Sequence, residues 1–202
     1  MKTAQVISVI GHPIFHPTLM LLILVLTGFK TGTENILLGI TFLTTCLVPT
    51  IILVMMQRWH VISSLNMEDR EERLAPLFIM VLFLYTALKF FGNLHIPSYT
   101  SYYLIFFNFY LITAIVVTAL AFITTFFWKI SLHTLGWGNF TACLFIMTAK
   151  SMEAYLLYFI GSIVITGIVA AARLKQESHS NAQIYTGFAM GFATVIIISL
   201  LF

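Results

Sequence analysis

Seven apolar runs of this chain read as bilayer-spanning segments, an expectation that rules out any fold that would keep them in water. A helix needs about 20 apolar residues to traverse about 30 Å of hydrocarbon. Runs of that size, bounded by polar clusters, fall at roughly 14–30, 35–57, 76–94, 101–128, 134–150, 155–172 and 184–202. Backbone N–H and C=O groups find no water in lipid, so each run has to be helical. The expected fold is all-α: a polytopic transmembrane helical bundle of six to seven spans, the first one either short or starting earlier as a tilted segment. With 60% hydrophobic and 8% charged residues, the chain lacks the polar surface of a soluble body. The few charges lie between the apolar runs, so residues 1–202 are expected to form a single integral membrane domain.

The same sparse charge excludes several functions. A net charge of +3 is scattered along the chain with no Lys/Arg run, so nucleic-acid binding has no support. Cys46 and Cys143 each sit within an apolar run, as buried free thiols do. The opening MKTAQVISVIGHPIFHP carries a lysine and an apolar stretch, but two His-Pro steps interrupt it and no small-residue cleavage site follows. It is expected to be retained rather than removed as a signal peptide.

If all seven runs cross, the connections alternate between two faces. One face receives the N-terminus, 58–75, 129–133 and 173–183. Trp59 and Trp128 end spans on that side, and Tyr99, Tyr102, Tyr103, Tyr155 and Tyr158 gather on the other, as interfacial aromatic belts would. Lys2, Arg58, Arg70, Arg73, Lys129, Arg173 and Lys175 share the first face, against Lys30, Lys89 and Lys150 on the second. The positive-inside rule alone would make the first face cytoplasmic. Cations that belong to a site distort such a count, so orientation stays open.

Two segments on the cation-rich face combine groups that carry chemistry, Lys129-Ile-Ser131-Leu-His133 and Arg173-Leu-Lys-Gln-Glu-Ser-His179-Ser-Asn-Ala-Gln183. One helical hairpin separates them, so both histidines return to one face. Cations, a hydroxyl and two imidazoles suit phosphoryl transfer, which needs donors to the equatorial oxygens, a nucleophile and an acid for the leaving oxygen. Each residue alone has a plainer account, because Lys and Arg snorkel from helix ends and His tolerates interfaces. Their joint spacing favours the site.

Arg173-x5-His179-x3-Gln183, leading into a final helix, resembles the third signature of the type 2 phosphatidic acid phosphatase superfamily, Ser-Arg-x5-His-x3-Asp. Ile130-Ser131-Leu132-His133 resembles the second, Pro-Ser-Gly-His, and Gly187-x3-Gly191 the small-residue helix that follows the third. The likeness covers residues 129–191 and implies a phosphatidic acid phosphatase-like core. It also implies a membrane phosphatase that hydrolyses a lipid phosphate or pyrophosphate through a phosphohistidine. His179 would be the nucleophile and His133 the acid for the leaving alkoxide, with Gln183 orienting the nucleophile. Arg173 and Ser131 would bind phosphoryl oxygens, and Lys129 would add a donor. No metal or other cofactor is called for. The substrate would lie among membrane lipids, and a multi-pass protein of a bacterial inner (cell) membrane is the expected setting.

The chain departs from the pattern in two places. Gln183 stands where the family has Asp; its carbonyl can orient a ring but supplies no charge, and a comparable amide swap in a Ser-His-Asp protease costs about 10⁴ in kcat. That loss favours an alternative, a weak or inactive relative that binds or moves an anionic lipid. Glu177 is a substitute carboxylate in reach by sequence. The first signature, Lys-x6-Arg-Pro, is echoed only by Glu68-Asp-Arg70-Glu-Glu-Arg73-Leu-Ala-Pro76, with Asn66 where the lysine belongs. Arg70 and Arg73 are candidate phosphate ligands there, within a loop whose flanking acids can neutralise them. His12 and His16, each before a proline, are helix breakers or lining residues of the site. A haem-binding or proton-conducting bundle would instead need histidines at mid-membrane.

Overall fold

A computed structural model describes residues 2–65, 67, 69–95, 101–151 and 153–201. Asn66, Glu68 and Tyr99 lie outside the described residues. Among the described residues every regular element is helical, and six helical stretches are long and apolar enough to cross a membrane: Lys2–Thr27, Glu34–Arg58, Glu71–Gly92, Ser101–Thr125, Glu153–Lys175 and Asn181–Ser199. The chain divides into two compact units, Met1–His16 with Lys129–Phe202, and Pro17–Trp128.

The first apolar stretch begins at Lys2 rather than at residue 14, its helix interrupted at the first His-Pro step and resumed after a short turn. Helix α1 (Lys2–Ile10) gives way to a 3₁₀ turn, Pro13–Phe15, and resumes as α2 (His16–Thr27). A proline in a first turn forfeits an N–H that would have had no helical partner, so both His-Pro steps fit inside one span.

In the unit Pro17–Trp128, α2 ends at Gly28, whose φ of +137° favours glycine and where a Cβ would strike the Tyr103 hydroxyl. The Tyr103 hydroxyl donates to the Thr27 carbonyl over 3.1 Å, so this tyrosine is a clamp on the helix end. The second span is α3 (Glu34–Phe42), a π-turn over Leu43–Leu47, and α4 (Val48–Arg58). Pro49 has no N–H for the ladder and its ring crowds the carbonyl four residues back, which accounts for the widened turn just before it. Helices α5 (Leu74–Gly92) and α6 (Ser101–Thr125) pack through rings such as Phe91 on Phe107, 4.6 Å apart.

The other unit is built on α7 (Leu132–Ser151), which hairpins into α8 (Glu153–Lys175), with α9 (Asn181–Ser199) following. Helix α7 corresponds to the run at 134–150 but is absent from the six, and it carries polar residues along its length, Thr134, Asn139 and Thr141 among them. Those side chains are buried in protein rather than presented to lipid. It runs antiparallel to α8, with Phe145 against Phe159, and parallel to α9. The α7–α9 contact is backbone on backbone. A Cβ on Gly187 would stand 2.7 Å from Thr134 Oγ1 and 2.8 Å from the Ser131 carbonyl, while one on Gly191 would strike the Leu135 carbonyl and one on Gly138 the Phe188 carbonyl. Small residues allow this approach where lipid supplies no hydrophobic drive for helices to associate. Helix α1 lies along α8 and α7, with Gly11 between Val169 and Trp137.

Two expectations need correction. Tyr155 is buried within its unit and so does not belong to an interfacial belt, and Tyr103 is engaged with the end of α2. Trp59 and Trp128 are exposed, and Cys46 and Cys143 are buried free thiols.

Candidate functional site

The two sequence segments meet at one end of the α7–α9 pair. Helix α8 stops where Glu177 adopts a left-handed φ of +54°, and the chain turns over two residues before Ser180 starts α9. Ser180 and Gln183 form a capping box: the Ser180 hydroxyl accepts from the Gln183 N–H, and Gln183 Oε1 accepts from the Ser180 N–H over 3.1 Å. That same Oε1 accepts from His179 Nδ1–H over 3.1 Å. A carbonyl oxygen can only accept, so the ring proton sits on Nδ1 and the lone pair on Nε2.

Ser131 begins α7 in a similar way. Its hydroxyl accepts from the Thr134 N–H over 3.4 Å, capping the helix, and its own N–H donates to the Gln183 carbonyl over 3.3 Å. Thr134 adds a hydroxyl bond to the Ile184 carbonyl at 3.0 Å. The starts of α7 and α9 are thus joined directly. Ser131 is fully buried.

His133 is held from the opposite side. Its Nε2–H donates to the Ser8 carbonyl of α1 over 3.0 Å, which places its lone pair on Nδ1. Both histidine rings are therefore oriented by a carbonyl oxygen, one from a side chain and one from the main chain. His12 meets the His133 ring edge-on, centroids 4.8 Å apart and planes at 84°. Gln176 secures α1 by donating from Nε2 to the Ala4 carbonyl at 2.8 Å and the Ser8 hydroxyl at 2.7 Å.

Arg173, in the last turn of α8, is only 5% exposed. Its Nη1 donates to Gln176 Oε1 over a long 3.4 Å, and its Nε is buried with no hydrogen-bond partner. No carboxylate pairs with it among the described residues. His179 (6% exposed) and His133 (9% exposed) are nearly as buried. The charge of Arg173 and the rings of His12 and His179 all lie close enough to act electrostatically on His133. Among the described residues, no group of three His, Cys, Asp or Glu is placed to hold a metal ion.

Of the residues singled out in the sequence, His133, Arg173, His179, Gln183 and Ser131 assemble in this one unit, and half-buried Lys129 lies two residues before Ser131. Glu177 is exposed and ends a helix, which removes the observation that suggested it as a carboxylate for His179. Arg70 and Arg73 belong to the other unit and have main-chain partners there. Arg73 is buried, its Nε–H on the Met67 carbonyl at 3.0 Å, and exposed Arg70 donates to the Phe127 carbonyl at 3.0 Å. Their loop is also braced by Glu72, which accepts from the N–H and hydroxyl of Ser63. His16 packs between Trp137 and Phe140 at 4.5 and 4.9 Å, a core contact one turn beyond His12.

Three participants escaped the sequence reading. Ser180-x-x-Gln183 is a capping-box pattern and could have been found as one. Gln176 follows Arg173 by one helical turn, a spacing that puts the two side chains on one face. Ser8 offers no signal, because it contributes a main-chain carbonyl. Comparison with protein-family models, with curated proteins and with solved structures finds no match to this chain.

Proposed function

We propose that this chain is a membrane phosphatase that hydrolyses a lipid phosphate or pyrophosphate through a phosphohistidine. One observation carries the reading: the Arg173 guanidinium is buried within electrostatic reach of His133 and His12, its Nε unpartnered and no carboxylate paired with it among the described residues. A buried charge without a counterion costs several kcal/mol, and a phosphoryl group is the anion whose geometry a guanidinium fork matches.

The tautomers suit the chemistry. His179 presents its Nε2 lone pair to phosphorus while Gln183 holds Nδ1–H. As the N–P bond forms and the P–O bond to the lipid breaks, the leaving alkoxide takes a proton from His133 in its imidazolium form, delivered from Nδ1 with Nε2–H kept on Ser8. Water then attacks the phosphohistidine, neutral His133 accepts its proton, and inorganic phosphate leaves with His179 restored. Arg173 balances charge on the phosphoryl oxygens throughout, Lys129 is a further donor, and the Ser131 hydroxyl can donate while it caps α7. A cell membrane such as the bacterial inner membrane is the proposed setting.

A second reading is a relative that binds or moves an anionic lipid without turnover. Gln183 favours it, since the capping box gives that residue a structural reason to be there. Purified protein and a short-chain phosphatidic acid separate the two. Phosphate release that disappears in His179→Ala supports the phosphatase, whereas saturable binding without release supports the binder.

A further inference from the structure

We propose that His12 is a ligand of the bound phosphoryl group, acting as a permanently neutral imidazole whose Nε2–H donates to a phosphoryl oxygen. The inference rests on the phosphate-site reading above and adds to it a residue from α1 and its turn, an element that carries neither signature.

The argument starts from how the ring is held. His12 is the N-cap of the Pro13–Phe15 turn, and its Nδ1 accepts from the Ile14 N–H over 3.2 Å. A nitrogen that accepts has no proton, so the ring proton is on Nε2. Protonating Nδ1 would set an N–H against the Ile14 N–H and break the cap, so this ring is confined to one neutral form. It cannot relay protons, because taking one at Nδ1 is what the cap prevents. It can donate one strong hydrogen bond to an anion. A neutral imidazole polarising a substrate oxygen is an established catalytic device.

Position agrees with that role. The ring stands edge-on to His133 at 4.8 Å and lies within electrostatic reach of Arg173 and His16. It is half-buried, whereas His16 one turn further on is buried against Trp137 and Phe140. The donors that would meet a phosphoryl group then come from two helices and a turn: Arg173 from α8, His133 from α7 and His12 from the cap of the Pro13–Phe15 turn. The Gln176 bonds to Ala4 and Ser8 hold α1, which leads into that turn, in place.

Two substitutions separate ligand from packing residue. In His12→Asn the short amide oxygen can still accept from Ile14 N–H, because Asn is among the best N-caps, but nothing reaches the depth of Nε2. In His12→Gln an amide N–H reaches that depth and the cap is impaired. Binding of inorganic phosphate to the full chain in lipid nanodiscs is measured by calorimetry, with thermal midpoints taken without phosphate. The expected result for His12→Asn is an affinity weaker by about 10- to 100-fold at an unchanged midpoint, as for losing a hydrogen bond to a charged group. His12→Gln should regain most of the affinity at a lowered midpoint. The proposal is overturned if His12→Asn binds phosphate like the wild type, or if His12→Gln folds and binds no better than His12→Asn. In either case wild-type binding and turnover leave the phosphatase reading standing. A wild type that binds no phosphate removes both.

Discussion

The N–H of Ser131 donates to the main-chain carbonyl of Gln183 over 3.3 Å, so the residue that caps α7 is bonded to the residue that orients the His179 ring. The two sequence segments are therefore coupled through the backbone, and His133 and His179 cannot shift independently. Several measurable consequences follow from this arrangement and its surroundings.

Gln183→Glu keeps the capping box, because Glu serves at that position as well as Gln, and places a negative charge beside His179 Nδ1. Turnover of short-chain phosphatidic acid should rise, with about 10⁴ as the upper bound set by amide-for-carboxylate swaps elsewhere. Gln183→Ala should lose turnover and about 0.5–2 kcal/mol of stability. Steady-state kinetics and chemical unfolding read the two effects separately.

Arg173→Met removes a buried cation that lacks a counterion. Without ligand the variant should be at least as stable as the wild type, because the desolvation cost of the buried cation is removed. Phosphate should raise the Tm of the wild type, as a ligand specific to the folded state must, and leave the variant unmoved. A thermal scan with and without phosphate tests both halves.

Gln176→Ala deletes the donors to Ala4 and Ser8. It should free α1 from α8 at a cost of about 1–3 kcal/mol, the penalty for stranding buried acceptors. Hydrogen exchange across residues 2–10 should quicken while α9 stays protected.

Gly191→Ala brings a methyl against the Leu135 carbonyl and should cost about 1–3 kcal/mol through overpacking. Gly167→Ala has open space around its Cβ and should be neutral or stabilise by up to about 1 kcal/mol, the helix-propensity gain. Unfolding of the two variants side by side distinguishes close helix contact from a general intolerance of change.

The helical architecture was legible because membrane burial writes itself into long apolar runs. Two elements resisted that reading for opposite physical reasons. Helix α7 is absent from the six long apolar helices and carries Thr134, Asn139 and Thr141, which are buried in protein. The start of the first span was misplaced, since His-Pro steps read as breaks although a first-turn proline lets a helix resume. At the site, the spacing of Arg173, His179 and His133 in sequence put them on one side of a hairpin, and these three residues do gather in one unit. Gln183 was legible as the partner of the His179 ring, whereas the main-chain carbonyls of Ser8, under His133, and of Gln183, under Ser131, carry no residue-specific mark. Arg70 and Arg73 show the reverse: their charge stood out, and each is engaged with a main-chain carbonyl of its own unit.

Glycines at 138, 187 and 191 make the α7–α9 seam a contact of main chain with main chain. Seams of that kind have almost no side-chain slack to absorb or transmit a load. Swapping a thin bilayer for a thick one should tilt the lipid-facing helices while the spacing of the two imidazoles stays fixed, so catalytic rate constants should be insensitive to acyl-chain length in the host membrane.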